Sequence, residues 1–406
     1  MSSGTLPGAD PAPLRQDAAV IALVGLAHAS SHFSHLLLPL MFPVFMGEFG
    51  LTFSELGLLM TLFFVVSGVG QAVAGFVVDR LGARPLLFAS LVLLMLACVA
   101  AGRAQSYGAL MLAAVLAGLG NASFHPVDFT ILNQRVSGPR LGHAFSAHGL
   151  SGNLGWALAP AFFATLSALA GWRAAYGAAA LGYAVVLVIL YQQRQYLVAG
   201  GTVRRAQPAG LDGLAFLSLP VVWWCFGFFL LSTMTLAVVQ NFSVSILKAL
   251  YGVSFEAATF TLTAYMLCGA LGMLLGGFVA ARATSSDRVV AATLTVATAL
   301  LALCATGWLG ATGTMAVLAG TGLAIGIGGP SRDMMIKRAT PREATGRVYG
   351  TVYSGLDVGF ALAPFVFGIF MDHGWYAATL LGAAFTLLLS VVAALAVGRR
   401  SLAPNH

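Results

Sequence analysis

The stretch GFVVDRLGAR, Gly75 to Arg84, is a short charged turn between two apolar runs, 55–78 and 85–102. Each run is close to or above the ~20 residues that a helix needs to cross a bilayer. Charges gathered in a brief turn between two such runs predict a helical hairpin whose turn lies at a membrane surface. Gly82 permits a tight turn and Gly75 lets helices approach closely. Asp79 suits a helix N-terminus or an arginine partner, and Arg80 and Arg84 supply surface cations.

The same alternation extends along all 406 residues. Apolar runs fall at 18–46, 55–78, 85–102, 107–134, 142–168 and 172–194, then at 214–247, 254–281, 289–309, 313–337, 346–371 and 375–398. The chain is 59% hydrophobic and only 8% charged, whereas soluble domains carry about 25% charged residues. Too few charges remain to cover a water-facing surface, so the expected class is an all-α membrane protein of twelve transmembrane helices. Continuous rather than alternating runs argue against a transmembrane barrel.

The polar break at 195–213, with Arg204 and Arg205, separates two sets of six spans. The expected organisation is a polar tail 1–17, a six-helix bundle 18–194, a cytoplasmic linker 195–213, a second bundle 214–398 and a tail 399–406. The first 16 residues lack the form of a cleaved signal. Placing the N-terminus in the cytoplasm puts sixteen of the twenty lysines and arginines on the cytoplasmic side, which fixes the expected orientation. The four cysteines lie in apolar runs without CxxC spacing and read as small packing residues. The net charge of +7 is spread among loops and does not point to nucleic acid.

The two halves repeat each other. A shift of 202 lays GLTFSE (50–55) on GVSFEA (252–257) and GFV (75–77) on GFV (277–279). A shift of 204 lays ALAP (157–160) on ALAP (361–364), Pro126 on Pro330 and Gly142 on Gly346. Each match pairs span n with span n+6, so the repeat is parallel.

The turn at 75–84 resembles the major facilitator signature G-x3-D-[RK]-x-G-[RK]-[RK]: Gly75, Asp79, Arg80, Gly82 and Arg84 match and Ala83 departs. The resemblance implies two parallel-repeat six-helix bundles, with this turn as a cytoplasmic latch between them. Asp79 is expected to pair with the start of span 11 near Gly346 or with Arg135. SHFSH (31–35), FPVF (42–45), EFGLTF (48–53), GLGNASFHP (118–126) and GNLGWALAP (152–160) resemble the fosmidomycin-resistance branch of that family. That likeness implies proton-driven export of a drug. The branch carries an acid directly after FHP, where this chain has Val127 followed by Asp128, and an acid in span 1 where this chain has His32.

Ionisable groups at membrane depth cost roughly 3 kcal/mol each on insertion scales, so each marks a candidate site. The resemblance expects spans 1, 4, 7 and 10 to line a central cavity. In HASSHFSH, His28, His32 and His35 fall at i, i+4, i+7 on one helical stripe. Such a stripe serves a cavity or proton relay, helix packing, or a metal. No second carboxylate–histidine set is evident in the sequence, so no metal is expected. In FHPVD, Pro126 is expected to break span 4 and free a carbonyl near residue 122, with His125, Asn121 or water as its partner. Pro330 in GGPSRDM is expected to break span 10 in the same way, and the repeat sets Asp128 opposite Arg332. Arg332 then pairs with Asp128 across the halves, with Asp333 or with a bound anion. Asp357 stands at mid-depth in span 11 and is expected neutral. Gln240 and Asn241 in span 7 are expected near the cavity, with Trp223, Trp224 and Phe226 available to a substrate ring, and His148 in span 5 is a further residue that can face the cavity.

The reading is a monomeric, proton-coupled transporter of a bacterial inner membrane, exporting a drug-like or anionic small molecule by alternating access. It needs no cofactor, since there is no GxxxxGK[ST] for ATP. Alternatives are uptake of a small organic anion with Arg332 as counter-charge, and transport of a transition metal or metal chelate. A membrane enzyme or metal-dependent sensor is disfavoured because no loop long enough for a catalytic domain exists.

Overall fold

The computed structural model of the chain describes residues 13–199, 217–339 and 345–401; the side chains of Asp79, of residues 345–350 and of Ser401 lie outside that description. Twelve helices among the described residues are long and apolar enough to cross a membrane. Span 1 comprises Leu14–Ser34 and Phe42–Phe49, and span 4 comprises Tyr107–Asn121 and Phe124–Arg135. The others in the first half are Phe53–Leu81 (span 2), Ala83–Gly102 (3), Leu141–Ala170 (5) and Trp172–Gln192 (6). The second half holds Pro220–Tyr251 (7), Phe255–Arg282 (8), Ser286–Cys304 (9), Gly310–Ala339 (10), Thr345–Asp372 (11) and Tyr376–Ser401 (12). The expected spans are all present.

Two boundaries need correction. Span 1 begins at Leu14, so Asp17 belongs to its first turn rather than to a polar tail. The Asp17 carboxylate is fully buried and accepts hydrogen bonds from the Ser137 backbone N–H (3.3 Å), the Ser137 hydroxyl and Arg140 Nη1 (2.8 Å). An acid there also suits the helix N-terminus. Span 1 is not continuous over 18–46 either. Pro39 and Pro43 have no N–H to donate, and the chain tightens through Leu36 N–H to Phe33 O and Leu37 N–H to Ser34 O (both 3.2 Å) into the 3-10 turn Pro39–Met41.

The prolines in the two halves behave differently. Span 4 breaks at Ala122–Ser123, just ahead of Pro126, and resumes at Phe124. Pro126 thus falls in a first turn, where a missing N–H costs little. Pro330 was expected to break span 10 likewise, yet that helix runs unbroken through it. Close packing against span 8 holds it: a methyl on Gly272 would come 2.4 Å from the Leu323 carbonyl oxygen, and one on Gly326 2.1 Å from that of Gly269.

Within each half, span 1 packs on 5 as 7 packs on 11, span 2 on 4 as 8 on 10, and span 3 on 6 as 9 on 12. Between halves, span 2 meets 11 and span 5 meets 8, two seams that the repeat interchanges. The 2–11 seam is tightest at the end opposite the chain termini. There the Asp372 carboxylate accepts from the backbone N–H groups of Phe53 (2.5 Å) and Ser54 (2.9 Å), capping span 2 from the other half. Deeper along the seam, Thr61 donates to the Ala361 carbonyl (2.6 Å). Phe242 packs on Phe42 and Phe53, 6.1 and 6.2 Å between ring centres.

In the 75–84 turn, Gly82 has φ +84°, so the tight turn does require glycine. Gly75 was expected to permit a helix contact, but a methyl there would meet nothing within 4 Å. The pairing of Asp79 with the Gly346 region lies outside the described side chains. Arg135 donates to the Gln195 carbonyl (3.4 Å), tying span 4 to the residues after span 6.

A methyl on Gly155 would lie 2.2 Å from the Ala29 carbonyl oxygen, whereas one on Gly149 would touch nothing. Gly155→Val therefore separates spans 1 and 5 and is expected to cost about 1–3 kcal/mol. Gly149→Val should leave the melting temperature in detergent near wild type; equal melting of the two variants contradicts this packing.

Candidate functional site

The break at Ala122–Ser123 redirects span 4 so that His125 and Asp128, three residues apart, face span 1. Asp128 is fully buried. Its Oδ2 lies 3.2 Å from His28 Nδ1 of span 1 and 3.1 Å from His148 Nε2 of span 5. The His28 and His148 rings stack, with centres 3.5 Å apart and planes 23° apart. His32 stands 4.4 Å from His28, and His125 5.4 Å from it, measured between ring centres. Span 5 makes room by having no side chain at Gly152, where a methyl would come 2.6 Å from the His32 ring. One carboxylate therefore meets two imidazoles, His28 and His148, with His32 and His125 packed beside His28, entirely within the first half.

The three histidines of HASSHFSH do form a stripe, but they divide their work. Trp156 Nε1–H points to His35 Nδ1 (3.2 Å), so that nitrogen accepts. His35 Nε2 then carries the proton and donates to Asn121 Oδ1 (3.2 Å). Asn121 Oδ1 also accepts from Ser31 (2.6 Å), and Asn121 Nδ2 donates to Ser67 of span 2 (2.9 Å). Both ring nitrogens of His35 are thus used, which makes it a strut joining spans 1, 4 and 5. His125 pairs with Gln71 Oε1 of span 2 through Nδ1 (3.0 Å), so neither Asn121 nor His125 is bonded to the carbonyl near residue 122. His28 Nδ1, His32 Nδ1 and Asp128 Oδ1 are buried without a hydrogen-bond partner. For His28 this means that its short approach to Asp128 is not aligned for an N–H···O bond.

Other expected residues lie elsewhere. Asp128 and Arg332 are not paired: Arg332 Nε donates to its neighbour Asp333 (2.8 Å), and its guanidinium sits 5.6 Å over Phe229. The imidazoles of its own bundle reach Asp128 instead. Gln240 and Asn241 are buried in span 7, next to Phe242 in the chain. Asn241 Nδ2 donates to the Ala237 carbonyl (2.7 Å), while Gln240 Nε2 and Asn241 Oδ1 have no partner. Trp223 and Trp224 line a cleft toward span 12, with Arg400 5.3 Å over Trp224, far along the helix from those amides. Asp357 packs against Gly68 on the 2–11 seam, where a methyl on Gly68 would lie 3.5 Å from its Cβ. It forms no ion pair among the described residues. Phe360, one turn further, stacks on Phe64 (4.5 Å) and faces His35 (6.0 Å), bringing the second half over the polar cluster.

Span 5 also builds the site, supplying Trp156 and His148, the histidine the sequence offered as a further cavity residue. The sequence held a hint of this, since His148 and Gly152 are four residues apart and share a helix face. No carboxylate–histidine set beyond the span-1 stripe is evident in the sequence; the fold brings part of that stripe into two groups, His28 with Asp128 and His148, and His28 with His32 and His125.

Twelve membrane-spanning helices in two repeated halves, with ionisable side chains within the spans, define a polytopic transport protein. The chain belongs to the Major Facilitator Superfamily, whose family model matches residues 24–246 and 238–405. It is a transporter rather than an enzyme. It is 27% identical over 369 residues to the fosmidomycin resistance protein of Escherichia coli, covering 87% of this chain and 86% of that one. It is 25% identical over 397 residues to the uncharacterized MFS-type transporter YfnC of Bacillus subtilis, covering 95% of both. The fold is similar to the crystal structure of a bacterial homolog of the human lysosomal transporter Spinster. That match has a TM-score of 0.72 at 15% identity, covering 96% of this chain and 97% of the other.

Asn121→Leu leaves His35, Ser31 and Ser67 without their shared partner. The expected loss is about 1–3 kcal/mol, read as a lower melting temperature, with Asn121→Asp milder than Asn121→Leu because it keeps the acceptor. A Leu variant that melts like wild type contradicts the strut.

Proposed function

We propose that the protein is a proton-coupled secondary transporter that exports a drug-like or anionic small molecule by alternating access. It works as a monomer in a bacterial inner membrane with both termini in the cytoplasm. The observation that carries the coupling is the place of Asp357 against Gly68, at the inner part of the seam between halves. Alternating access must open and close that seam, so a carboxyl there meets a different environment in each state. A carboxyl at membrane depth is costly as an ion and cheap as an acid, so the motion favours taking up and releasing a proton.

The neighbours of Asp357 support this role. Span 11 packs on spans 2, 7 and 12. Their charged residues sit toward the helix ends: Glu55, Asp79 and Arg80 on span 2, Lys248 on span 7, Arg399 and Arg400 on span 12. No cation on these helices is therefore placed at mid-depth to hold Asp357 ionised. His35 is the imidazole that faces the same region through Phe360, and both its nitrogens are engaged. Export is favoured by the likeness to a protein named for fosmidomycin resistance, and the basic residues on the terminal side of the spans support cytoplasmic termini. Uptake of an anion on Arg332 is less supported, because that guanidinium is already neutralised by Asp333.

The test uses purified protein in liposomes with an imposed pH gradient and a panel of compounds that includes fosmidomycin. At least one compound should drive proton movement, and Asp357→Asn should reduce that movement to the level of protein-free liposomes. Transport without proton movement, or an Asp357→Asn variant that couples like wild type, overturns the reading.

A further inference from the structure

We infer that His28, Asp128 and His148 form a binding site for one divalent first-row transition ion of the zinc, nickel or cobalt class. The inference goes beyond the transport reading and does not require it. Ligand atoms of these three residues lie within 4.8 Å of one another. Asp128 Oδ2 is 3.2 Å from His28 Nδ1 and 3.1 Å from His148 Nε2. Two donors of a tetrahedral ion with bonds of about 2.1 Å stand about 3.4 Å apart, so these separations already approach the coordinated geometry.

The second observation is the set of unsatisfied atoms. His28 Nδ1 and Asp128 Oδ1 are buried without a hydrogen-bond partner, and so is His32 Nδ1 beside them. Orphaned buried polar atoms are rare, and three in one cluster need a reason. The short but misaligned approach of His28 to Asp128 wastes a charge-assisted hydrogen bond. A cation between them needs no N–H···O line, and it uses the lone pairs that a hydrogen bond leaves idle. Neutral imidazole nitrogen with one carboxylate oxygen is a donor set for zinc, nickel or cobalt rather than for magnesium or calcium.

The surroundings fit the same use. Gly152 leaves space beside both rings, where a methyl would come 3.0 Å from His28 Nε2 and 2.7 Å from His32 Nδ1. His32 can therefore approach as a fourth donor without displacing backbone. His125, held by Gln71, forms with His28 and His32 a second triad that shares His28 with the first. Three firm donors and an unfilled fourth position describe an exchangeable site rather than a closed structural one.

The experiment is isothermal titration of chelator-treated, full-length protein with zinc or nickel chloride alone. Wild type should bind one ion per chain. Asp128→Asn and His148→Gln should each weaken binding by at least the roughly 10–100-fold seen when metal-site support is lost. His373→Ala, an exposed histidine at the opposite end, should change nothing. Where a variant does not fold, cobalt added to wild type gives an independent readout: visible absorption bands of a four-coordinate ion should appear and be removed by zinc. Undiminished binding in both Asp128→Asn and His148→Gln, loss confined to His373→Ala, or cobalt that stays octahedral overturns the site. Proton movement in liposomes is measured separately, so failure here leaves the transport reading standing, and failure there leaves this one.

Discussion

The histidine cluster of the first half is arranged around one constraint: the Asp128 carboxylate lies at membrane depth with no solvent exposure. An isolated charge there is expensive, and a long cation from the other half would be the obvious remedy. The fold instead uses short imidazoles from its own bundle, His28 and His148, with His32 and His125 behind them. That choice explains several other features. The chain breaks ahead of Pro126 so that Asp128 can face span 1. Span 5 gives up a side chain at Gly152 so that two rings fit, and at Gly155 so that its backbone reaches Ala29.

The second half plays a different part. Its contribution near the cluster is apolar, through Phe360, while Arg332 is kept apart by Asp333. The two halves hold each other by polar capping at Asp372 and by the aromatic plug around Phe242, both at the end opposite the termini. The repeat is therefore faithful in packing and unfaithful in chemistry. Equivalent helices touch equivalent helices, yet the residues at equivalent depth, Asp128 and Arg332, have opposite charge and separate partners. The acid–imidazole cluster lies within one bundle, while Asp357 of the other stands on the seam between them.

The architecture was legible in the sequence because a bilayer leaves so few options. Twelve apolar runs, a basic bias on one side and an internal offset near 202–204 are enough for it, and the 75–84 turn adds the family. Ends were less legible: Asp17 reads as tail until Ser137 and Arg140 are seen to hold it. Pro126 signalled a break and Pro330 did not produce one, because sequence shows the missing N–H but not the neighbouring helix that makes up for it. Pro39 and Pro43 were a readable warning of the break in span 1. The site was half legible. A stripe of His28, His32 and His35 follows from spacing, but nothing in spacing separates the strut, His35, from the free rings. His148 and Gln71 come from spans 5 and 2, so their role depends on packing that one sequence without relatives does not display.

The account stands or falls on Asp357 at the seam between the halves being a working group rather than a packing accident. The most direct measurement is transport of a compound that wild type carries, driven by an imposed pH gradient, by Asp357→Asn in liposomes, alongside its elution profile and melting temperature. Asparagine keeps the shape and removes the titratable proton, so the account predicts a folded protein with wild-type melting and no gradient-driven transport above protein-free liposomes. Transport at the wild-type rate by that folded variant would contradict it.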